Sequence, residues 1–156
     1  MSRITPCLWF KDQAEEAARF YASILPDSRI DAVHKSPIDT PGGGEGSVML
    51  VEFTLAGQKF QALNGGIDAE HSLAVSMAFG ARGQAELDRV WDALLEGGKP
   101  LECGWLADRY GLHWQIVPDN FGEMMSDPAK AKAVMTEVLR MVKLDIATIE
   151  RAAANA

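Results

Sequence analysis

Hydrophobic and polar positions in the stretch Gly104–Pro118 (GWLADRYGLHWQIVP) alternate in the way that predicts a β-hairpin. Gly111 ends the turn, and glycine readily adopts the left-handed backbone that a short hairpin loop requires. The residues after the turn follow a period of two, which is typical of a strand with two unlike faces. One face of that strand carries Leu112, Trp114 and Ile116, and the other carries His113, Gln115 and Val117.

Two other segments carry apolar residues at spacings of three and four, which predicts amphipathic helices. The first helix starts after Asp12, with Glu15 in a capping-box arrangement, and it stops before Pro26. The second helix is predicted over Gln84–Glu96 and is ended by Gly97. The apolar stripes are Ala14, Ala17, Ala18, Tyr21, Ile24 and Leu25 in the first helix, and Leu87, Val90, Trp91, Leu94 and Leu95 in the second.

The remaining apolar runs predict strands, and their order repeats after about 70 residues. The two halves share the order strand, helix, strand, hairpin, although only three strands are visible in the second half, and a helix with a single apolar stripe must cover one face of a sheet. We therefore predict an α+β fold with two βαβββ modules, about 1–66 and 72–118, that form a cup-like curved sheet. The predicted strands are Ile4–Phe10, Arg29–Lys35, Val48–Leu55, Gln58–Asn64, Leu73–Phe79, Pro100–Ala107 and Leu112–Pro118.

After Pro118 the pattern returns to helical spacing and predicts a C-terminal helical tail over about 127–154. Proline at the first position of a helix is favourable, so Asp127 and Pro128 start one helix. Its stripe contains Ala131, Val134, Met135, Val138 and Leu139, and Asp145 caps a shorter helix with Ile146 and Ile149. This amphipathic tail is expected to pack against the sheets or against a second subunit.

Composition narrows the classes of partner. The chain has 156 residues, is 47% apolar and carries a net charge of -7. Such a surface repels nucleic-acid phosphates and anionic lipids, so we expect neither as a partner. Cys7 and Cys103 form no metal or redox motif and are expected to be reduced, mostly buried thiols. No signal peptide or apolar run of about 18 residues is visible, which favours a cytoplasmic location.

Familiar catalytic motifs are missing from the sequence. The glycine-rich run Gly42–Gly46 lacks the Lys-Ser/Thr of a P-loop and precedes a strand instead of a helix, so the loop Ser36–Ser47 is interpreted as a flap over the cup. No GxSxG elbow, catalytic triad or dinucleotide fingerprint is present. His34 and His71 adjoin predicted loops and are expected to be solvated.

Several stretches resemble the PhnB-like branch of the glyoxalase/bleomycin resistance/dioxygenase (vicinal oxygen chelate) superfamily. They are Ile4-Thr5-Pro6, Phe20-Tyr21, the hairpin Gly104–Pro118 and the tail sequence MVKLDIATIE. Members of this branch are often labelled 3-demethylubiquinone-9 3-methyltransferase. The resemblance implies a single domain over 1–156 with paired βαβββ modules, a cup-shaped pocket and a homodimer.

The resemblance also bears on metal binding. Metal-dependent members of the superfamily place His or Glu ligands on the first and last strands of each module. The corresponding positions in this chain fall near Thr5, Asn64 and Ala74 and at Gln115. A neutral amide is a weak ligand for zinc, nickel or iron, and alanine is none. We therefore expect no metal ion and no cofactor.

The polar face of the closing hairpin offers the best ligand-binding candidates. Gln115 can both donate and accept hydrogen bonds, and His113 is the only candidate for a catalytic proton transfer. The alternative is that this face is solvated or hydrogen-bonded internally, or that His113 clusters with Glu52 or Glu102. Asn64 is equally suited to forming a turn. The complete set of ligand-binding candidates is Gln115, His113, Asn64, Gln61, Ser76, Trp105 and Thr5, with Trp105 either a stacking wall or a core aromatic.

Three classes of function remain open. The first is a protein that binds a small molecule without a metal ion, which the polar face of the hairpin suggests. The second is an enzyme that uses the same cup, either a metal-dependent lyase, isomerase or dioxygenase, or a methyltransferase as the family label suggests. The third is a structural role for the dimer. The sequence favours the first class and does not identify the ligand.

Overall fold

A computed structural model describes residues 4–156 of the chain as two units. The first unit ends at Glu70 and the second spans His71–Ala156. Each unit contains a four-stranded mixed sheet and a helix between its first two strands. None of the helices in the described chain has the length and apolar character that crossing a bilayer requires.

The first unit follows the predicted βαβββ order. Its sheet has the strand order β1-β4-β3-β2, in which β1 is parallel to β4 and the other pairs are antiparallel. The elements are β1 (Cys7–Phe10), α1 (Ala14–Ile24), β2 (Arg29–Lys35), β3 (Val48–Leu55) and β4 (Gln58–Asn64). The predicted α1 stripe is buried at all six positions, so the helical pattern is confirmed.

The start of α1 differs from the expected capping box. The residue at the N-cap position is Gln13, and its side chain makes no capping hydrogen bond. The amide oxygen of Asn64, at the end of β4, accepts a hydrogen bond from the Ala14 N–H at 2.8 Å. The cap at Asp12 was therefore wrong, because a distant strand supplies the acceptor that local sequence was expected to provide.

The second unit repeats the first. Its strand order β5-β8-β7-β6 is equivalent to β1-β4-β3-β2, which confirms the α+β class with two βαβββ modules. The elements are β5 (Ser76–Ala81), α2 (Gln84–Leu95), β6 (Lys99–Pro100), β7 (Trp105–Ala107) and β8 (His113–Pro118).

Three predicted strands in this unit have different bounds, and one of them, β8, starts a single residue later than predicted, at His113. β5 starts at Ser76 and not at Leu73, because Ser76 pairs with His113, the first residue of β8. The predicted strand Pro100–Ala107 is interrupted. Cys103 and Gly104 both adopt positive φ, and their N–H groups bond to the carbonyls of Met141 and Val142 at 2.7 and 2.8 Å instead of to a strand.

The C-terminal helices are α3 (Phe121–Met124), which the sequence pattern missed, α4 (Pro128–Val138) and α5 (Ile146–Ala154). Asp127 and Asp145 cap α4 and α5 through their side chains, as predicted. Leu139 is 65% exposed and lies outside the buried stripe, because α4 ends one residue earlier.

The tail is attached to the helix of its own module. The side-chain amide of Gln84, the first residue of α2, donates to the Leu144 carbonyl at 3.1 Å and accepts from the Ile146 N–H at 2.8 Å. Leu144 itself is buried. The tail is therefore part of the second unit and is held by backbone and side-chain hydrogen bonds.

The loop Ser36–Ser47 is closed at its base by two backbone hydrogen bonds between Ser36 and the segment Gly46–Ser47, each of 2.8 Å. It also packs against the end of β4, since a Cβ atom on Gly42 would collide with the Asn64 carbonyl. A role for this loop as a flap stays a prediction.

Both cysteines are free thiols. Cys103 is half-buried, but Cys7 is exposed, which corrects the expectation that both are mostly buried. The reason is strand alternation: Leu8 and Phe10 take the buried face of β1, so Cys7 lies on the opposite one.

Candidate functional site

The sheet of the second unit has one face covered by α2 and one face that is more open. Strand register assigns side chains to each, because directly paired residues point to the same side. Leu106, Trp114 and Ile116 lie on the covered side and are buried, together with the apolar stripe of α2. The opposite side, here named the β8 face, consists of Ser76, Ala78, Gly80, Lys99, Trp105, Ala107, His113, Gln115 and Val117.

Gln115 lies at the centre of the β8 face. It pairs with Ala78 on one side and with Trp105 on the other. Its amide nitrogen donates a hydrogen bond of 2.8 Å to the hydroxyl of Ser76. A hydroxyl that accepts this bond keeps its own hydrogen for another acceptor. Gln115 and Ser76 therefore form a neutral polar pair with hydrogen-bonding capacity left over.

Trp105 is half-buried and stands beside Gln115. The β-carbons of directly paired residues are about 4.5–5.5 Å apart, so the indole and the amide are neighbours. Strand pairing therefore brings four of the seven candidates from the sequence to one face. They are Gln115, Trp105, Ser76 and His113.

His113 occupies the row next to Gln115, between Ser76 and Ala107. The residue as a whole is half-buried, but its Nδ1 atom is enclosed and has no hydrogen-bond partner among the described residues. An enclosed polar atom without a partner costs about 1–3 kcal/mol unless a water or a ligand satisfies it. Nδ1 is thus a point at which a bound molecule would gain binding energy.

Asp108 holds the hairpin that presents His113, a role that the sequence reading did not identify. This buried carboxylate accepts hydrogen bonds from the N–H groups of Tyr110 and Leu112 at 2.8 and 3.1 Å, and from the indole N–H of Trp114 at 2.9 Å. The bonds to Leu112 and Trp114 lie on either side of His113. An aspartate at the first position of a turn was the available signal, because it commonly bonds to the N–H two residues later.

The first unit has its own open face, opposite α1. There Gln61 pairs with Glu52 and Cys7, and its amide donates to the Glu52 carboxylate at 3.4 Å. His34 lies 3.2 Å from the second oxygen of the same carboxylate. The hydrogen bond from His34, and then that from Gln61, lowers the pKa of Glu52. His34 is 48% exposed, so it is partly solvated as expected but also paired.

Gln61 and Gln115 occupy equivalent places in the two modules. Each lies on the last strand of its module and pairs with a residue of the first strand, Gln61 with Cys7 and Gln115 with Ala78. In both modules this pair comes three residues before the last pair of the two strands. Each donates its amide hydrogen to a side chain on a neighbouring strand. The register thus gives Gln61 as the counterpart of Gln115, a relation that the weak sequence repeat did not show.

The remaining candidates lie elsewhere. Asn64 is buried on the α1 side of its sheet, where it accepts from the Ala14 N–H at 2.8 Å and donates to the Val48 carbonyl at 3.0 Å. Thr5 is half-buried and precedes β1, whereas Ala74 is exposed and precedes β5. Both polar atoms of Asn64 therefore have partners within the first unit.

The residues at the superfamily's metal positions do not fit a divalent cation. The amide of Asn64 is engaged on both sides, Ala74 has no donor atom, and Gln115 offers only a neutral amide. Partial desolvation raises the pKa of the Cys7 thiol, the residue in register with Gln61. Within residues 4–156, no three His, Cys, Asp or Glu side chains are grouped closely enough to hold a metal ion.

Comparison with known proteins now assigns the family. The family model described as 3-demethylubiquinone-9 3-methyltransferase matches residues 2–117. The chain belongs to this family. A PhnB protein from Bacillus cereus is 31% identical, with a TM-score of 0.67 over 75% of this chain and 99% of its own. The PhnB-like branch of the glyoxalase/bleomycin resistance superfamily is therefore confirmed, as the hairpin motif predicted.

More distant structures share the fold alone. Protein PA1353 from Pseudomonas aeruginosa is 22% identical, with a TM-score of 0.60 over 73% of this chain and 95% of its own. The fosfomycin resistance protein FosX from Mesorhizobium loti is 16% identical, with a TM-score of 0.56 over 81% and 99%. Among curated proteins, none matches this chain.

Proposed function

We propose that this member of the 3-demethylubiquinone-9 3-methyltransferase family binds a small organic molecule on the β8 face without a metal ion. Gln115 and Ser76 would supply neutral hydrogen-bonding groups, Trp105 an aromatic wall and His113 a ring nitrogen. Thr5, Gln61 and Asn64 remain further candidates from the sequence.

The observation that carries this proposal is the enclosed Nδ1 atom of His113 on the side of the sheet opposite α2. Buried polar atoms in folded proteins almost always have a partner. Here the neighbouring Ser76 and Gln115 side chains bond to each other. A bound molecule that reaches Nδ1 of His113 would also lie next to the side chains of Ser76 and Gln115, which are its neighbours on the β8 face.

A thermal-shift screen tests the proposal with quinones, aromatic metabolites, S-adenosylmethionine and antibiotics. A ligand that binds only the native state stabilises it, by about 2.7 kcal/mol at a concentration of 100 times its Kd. The Gln115→Ala variant should bind a hit about fivefold more weakly, since one hydrogen bond contributes roughly 1 kcal/mol. Gln58→Ala, at an exposed position of the β3–β4 hairpin, is the matched control. A hit that Gln115→Ala binds unchanged would contradict the assignment of the β8 face.

The metal-independent part of the proposal has a separate test. Protein purified without chelators and without a metal-binding tag is analysed for zinc, nickel, manganese and iron. We expect less than stoichiometric amounts of each metal. One equivalent of any of them per chain would favour the metal-dependent lyase, isomerase or dioxygenase chemistry instead.

Methyl transfer is the second candidate function, because the family's description names it. His113 would then be the candidate proton acceptor from the group that receives the methyl. The binding of S-adenosylmethionine in the same screen, measured again by calorimetry, distinguishes this reading. Saturable binding followed by formation of S-adenosylhomocysteine in the presence of a quinol would support it.

We also propose a homodimer in the cytoplasm. Apolar side chains at the end of α4 and just beyond it are solvent-exposed, with Leu139 at 65% and Val142 at 48%, and a second subunit could cover them. Light scattering at micromolar concentration tests the dimer. The cytoplasmic assignment rests on two free thiols, which suit a reducing compartment.

A further inference from the structure

The turn that leads into β7, residues 102–105, lacks one bond of the β7–β8 ladder. Two hydrogen-bonded residues of an antiparallel pair normally exchange both of their backbone bonds. Ile116 on β8 donates its N–H to the Gly104 carbonyl at 2.8 Å, but the N–H of Gly104 donates to the carbonyl of Val142 in the tail, also at 2.8 Å. The tail therefore supplies the acceptor that the Ile116 carbonyl would supply if β7 extended by one residue.

The backbone of this turn adopts an unfavourable conformation to meet the tail. Cys103 has a φ of 62°, in the left-handed region that residues other than glycine rarely adopt. Its N–H donates to the Met141 carbonyl at 2.7 Å, so two consecutive donors bind two consecutive carbonyls of the tail. Extension of β7 would release Cys103 from this conformation and give Gly104 a new acceptor. These two gains partly offset the loss of the bonds to the tail, so the turn has a second arrangement available to it.

Side-chain packing favours the arrangement in which the tail is docked. Leu144 is 1% exposed, and a Cβ atom on Gly104 would lie only 2.9 Å from its Cγ atom, so this close approach requires glycine. Gln84 of α2 bonds to the Leu144 carbonyl and to the Ile146 N–H. The tail thus connects the start of α2 with the turn that precedes Trp105.

We propose that the docked tail positions Trp105 on the β8 face. The N–H of Trp105 donates to the Glu102 carbonyl at 3.2 Å, and this bond closes the turn while Cys103 and Gly104 keep their positive φ. When the tail leaves, the turn straightens, this bond breaks and the indole beside Gln115 moves. The inference rests on the proposed function, in which Trp105 is the aromatic wall of the ligand site, and it makes the tail a regulator of that site.

Hydrogen exchange in the ligand-free, isotopically labelled full chain tests the coupling from both ends, because amide exchange reports local opening. Gln84→Ala loosens the tail without touching the turn. We expect it to speed exchange at Ile146, Cys103 and Gly104 by one common factor of about five- to thirtyfold, the effect of losing one to two hydrogen bonds. Cys103→Val loosens the turn without touching α2, since a β-branched residue is unfavourable at positive φ. It should speed exchange at Ile146 about two- to fivefold, because coupling between two sites is reciprocal.

The matched controls are the same substitutions in the first unit. Gln58→Ala and Cys7→Val lie at exposed positions and should leave the exchange of all three amides unchanged. The amide of Ile116 is an internal reference. Its bond to Gly104 persists in both arrangements of the turn, so it should exchange no faster in any variant.

The indole nitrogen of Trp105 reports the position of that side chain. Its resonance is assigned with Trp105→Phe and followed by relaxation dispersion, which detects minor states that exchange within microseconds to milliseconds. We expect larger dispersion at this nitrogen in the double variant Gln84→Ala/Cys103→Val than in the native protein. The indole of Trp91, buried on α2, should show no change.

Three results would overturn the inference. If Gln84→Ala speeds exchange at Ile146 alone, the tail and the turn open independently. Equal acceleration at Ile116 would mean that the substitution destabilises the whole second unit. Faster exchange at Gly104 without greater dispersion at Trp105 would refute the positioning of the indole. None of these measurements involves a ligand, so each result leaves the proposed function to the ligand screen.

Discussion

Asp108→Asn is the substitution that tests the support of the hairpin most directly. The side chain keeps its size, so no cavity forms, but one of the two carboxylate oxygens becomes an NH₂ group. In the native protein one oxygen accepts from Tyr110 and Leu112, and the other accepts from the indole of Trp114 at 2.9 Å. Whichever way the amide turns, its NH₂ group faces a donor.

The cost follows from these contacts. Asp108 is 4% exposed, and its bonds to Leu112 and Trp114 are both buried, so water cannot replace them. A hydrogen bond to a charged group contributes about 1.5–3 kcal/mol, and a buried donor without an acceptor costs a further amount of about 1–3 kcal/mol. We therefore expect Asp108→Asn to lower the free energy of unfolding by about 2–4 kcal/mol, a large share of a domain's typical 5–15 kcal/mol.

Urea unfolding followed by far-UV circular dichroism measures this loss. Asp119→Asn, at an exposed position after β8, removes the same charge and should change stability by less than about 0.5 kcal/mol. A double-mutant cycle of Asp108→Ala and Trp114→Phe should give a coupling of at least about 1 kcal/mol, because each substitution removes the hydrogen bond between these two side chains. A loss below about 0.5 kcal/mol for Asp108→Asn, or an additive cycle, would refute the reasoning.

Two further predictions concern the tail and a surface carboxylate. Gln84→Ala should lower the free energy of unfolding by about 1–2 kcal/mol and speed hydrogen exchange at the Ile146 amide, because the side chain bridges Leu144 and Ile146; unchanged exchange would argue against this bridge. The pKa of Asp31 lies below its ordinary value, chiefly because of the hydrogen bond from Lys59, so Lys59→Met should raise it in an NMR titration. The stabilisation from Asp31 is present above its unfolded-state pKa and is lost as pH falls through the lower folded-state pKa.

The strands and helices with regular periods could be predicted from the sequence. The bounds of β2, β3 and β4 agree with the sequence pattern to the residue, because each has turn residues at its ends. The α1 and α2 stripes were equally clear, since apolar spacing reports burial directly. The alternation in β8 also indicated which side chains share a face with Gln115 and His113.

Features that depend on contacts distant in the chain could not be predicted in the same way. The cap of α1 comes from Asn64, fifty residues away, and no local motif reveals it. β5 starts only where β8 offers a partner, and Lys99 joins the site only through two successive strand pairings. Sequence periodicity fixes the face of a strand, but its neighbours depend on register.

The attachment of the tail has a consequence for how the portion of the chain that matches the family is understood. The family match ends at residue 117, yet Cys103 and Gly104 inside that portion bond to Met141 and Val142 beyond it. A protein cut at the family boundary would leave two backbone donors without acceptors and would uncover the pocket filled by Leu144. In this chain the second module therefore depends on hydrogen bonds from residues that lie outside its βαβββ repeat. The two repeats thus differ in what each needs to fold.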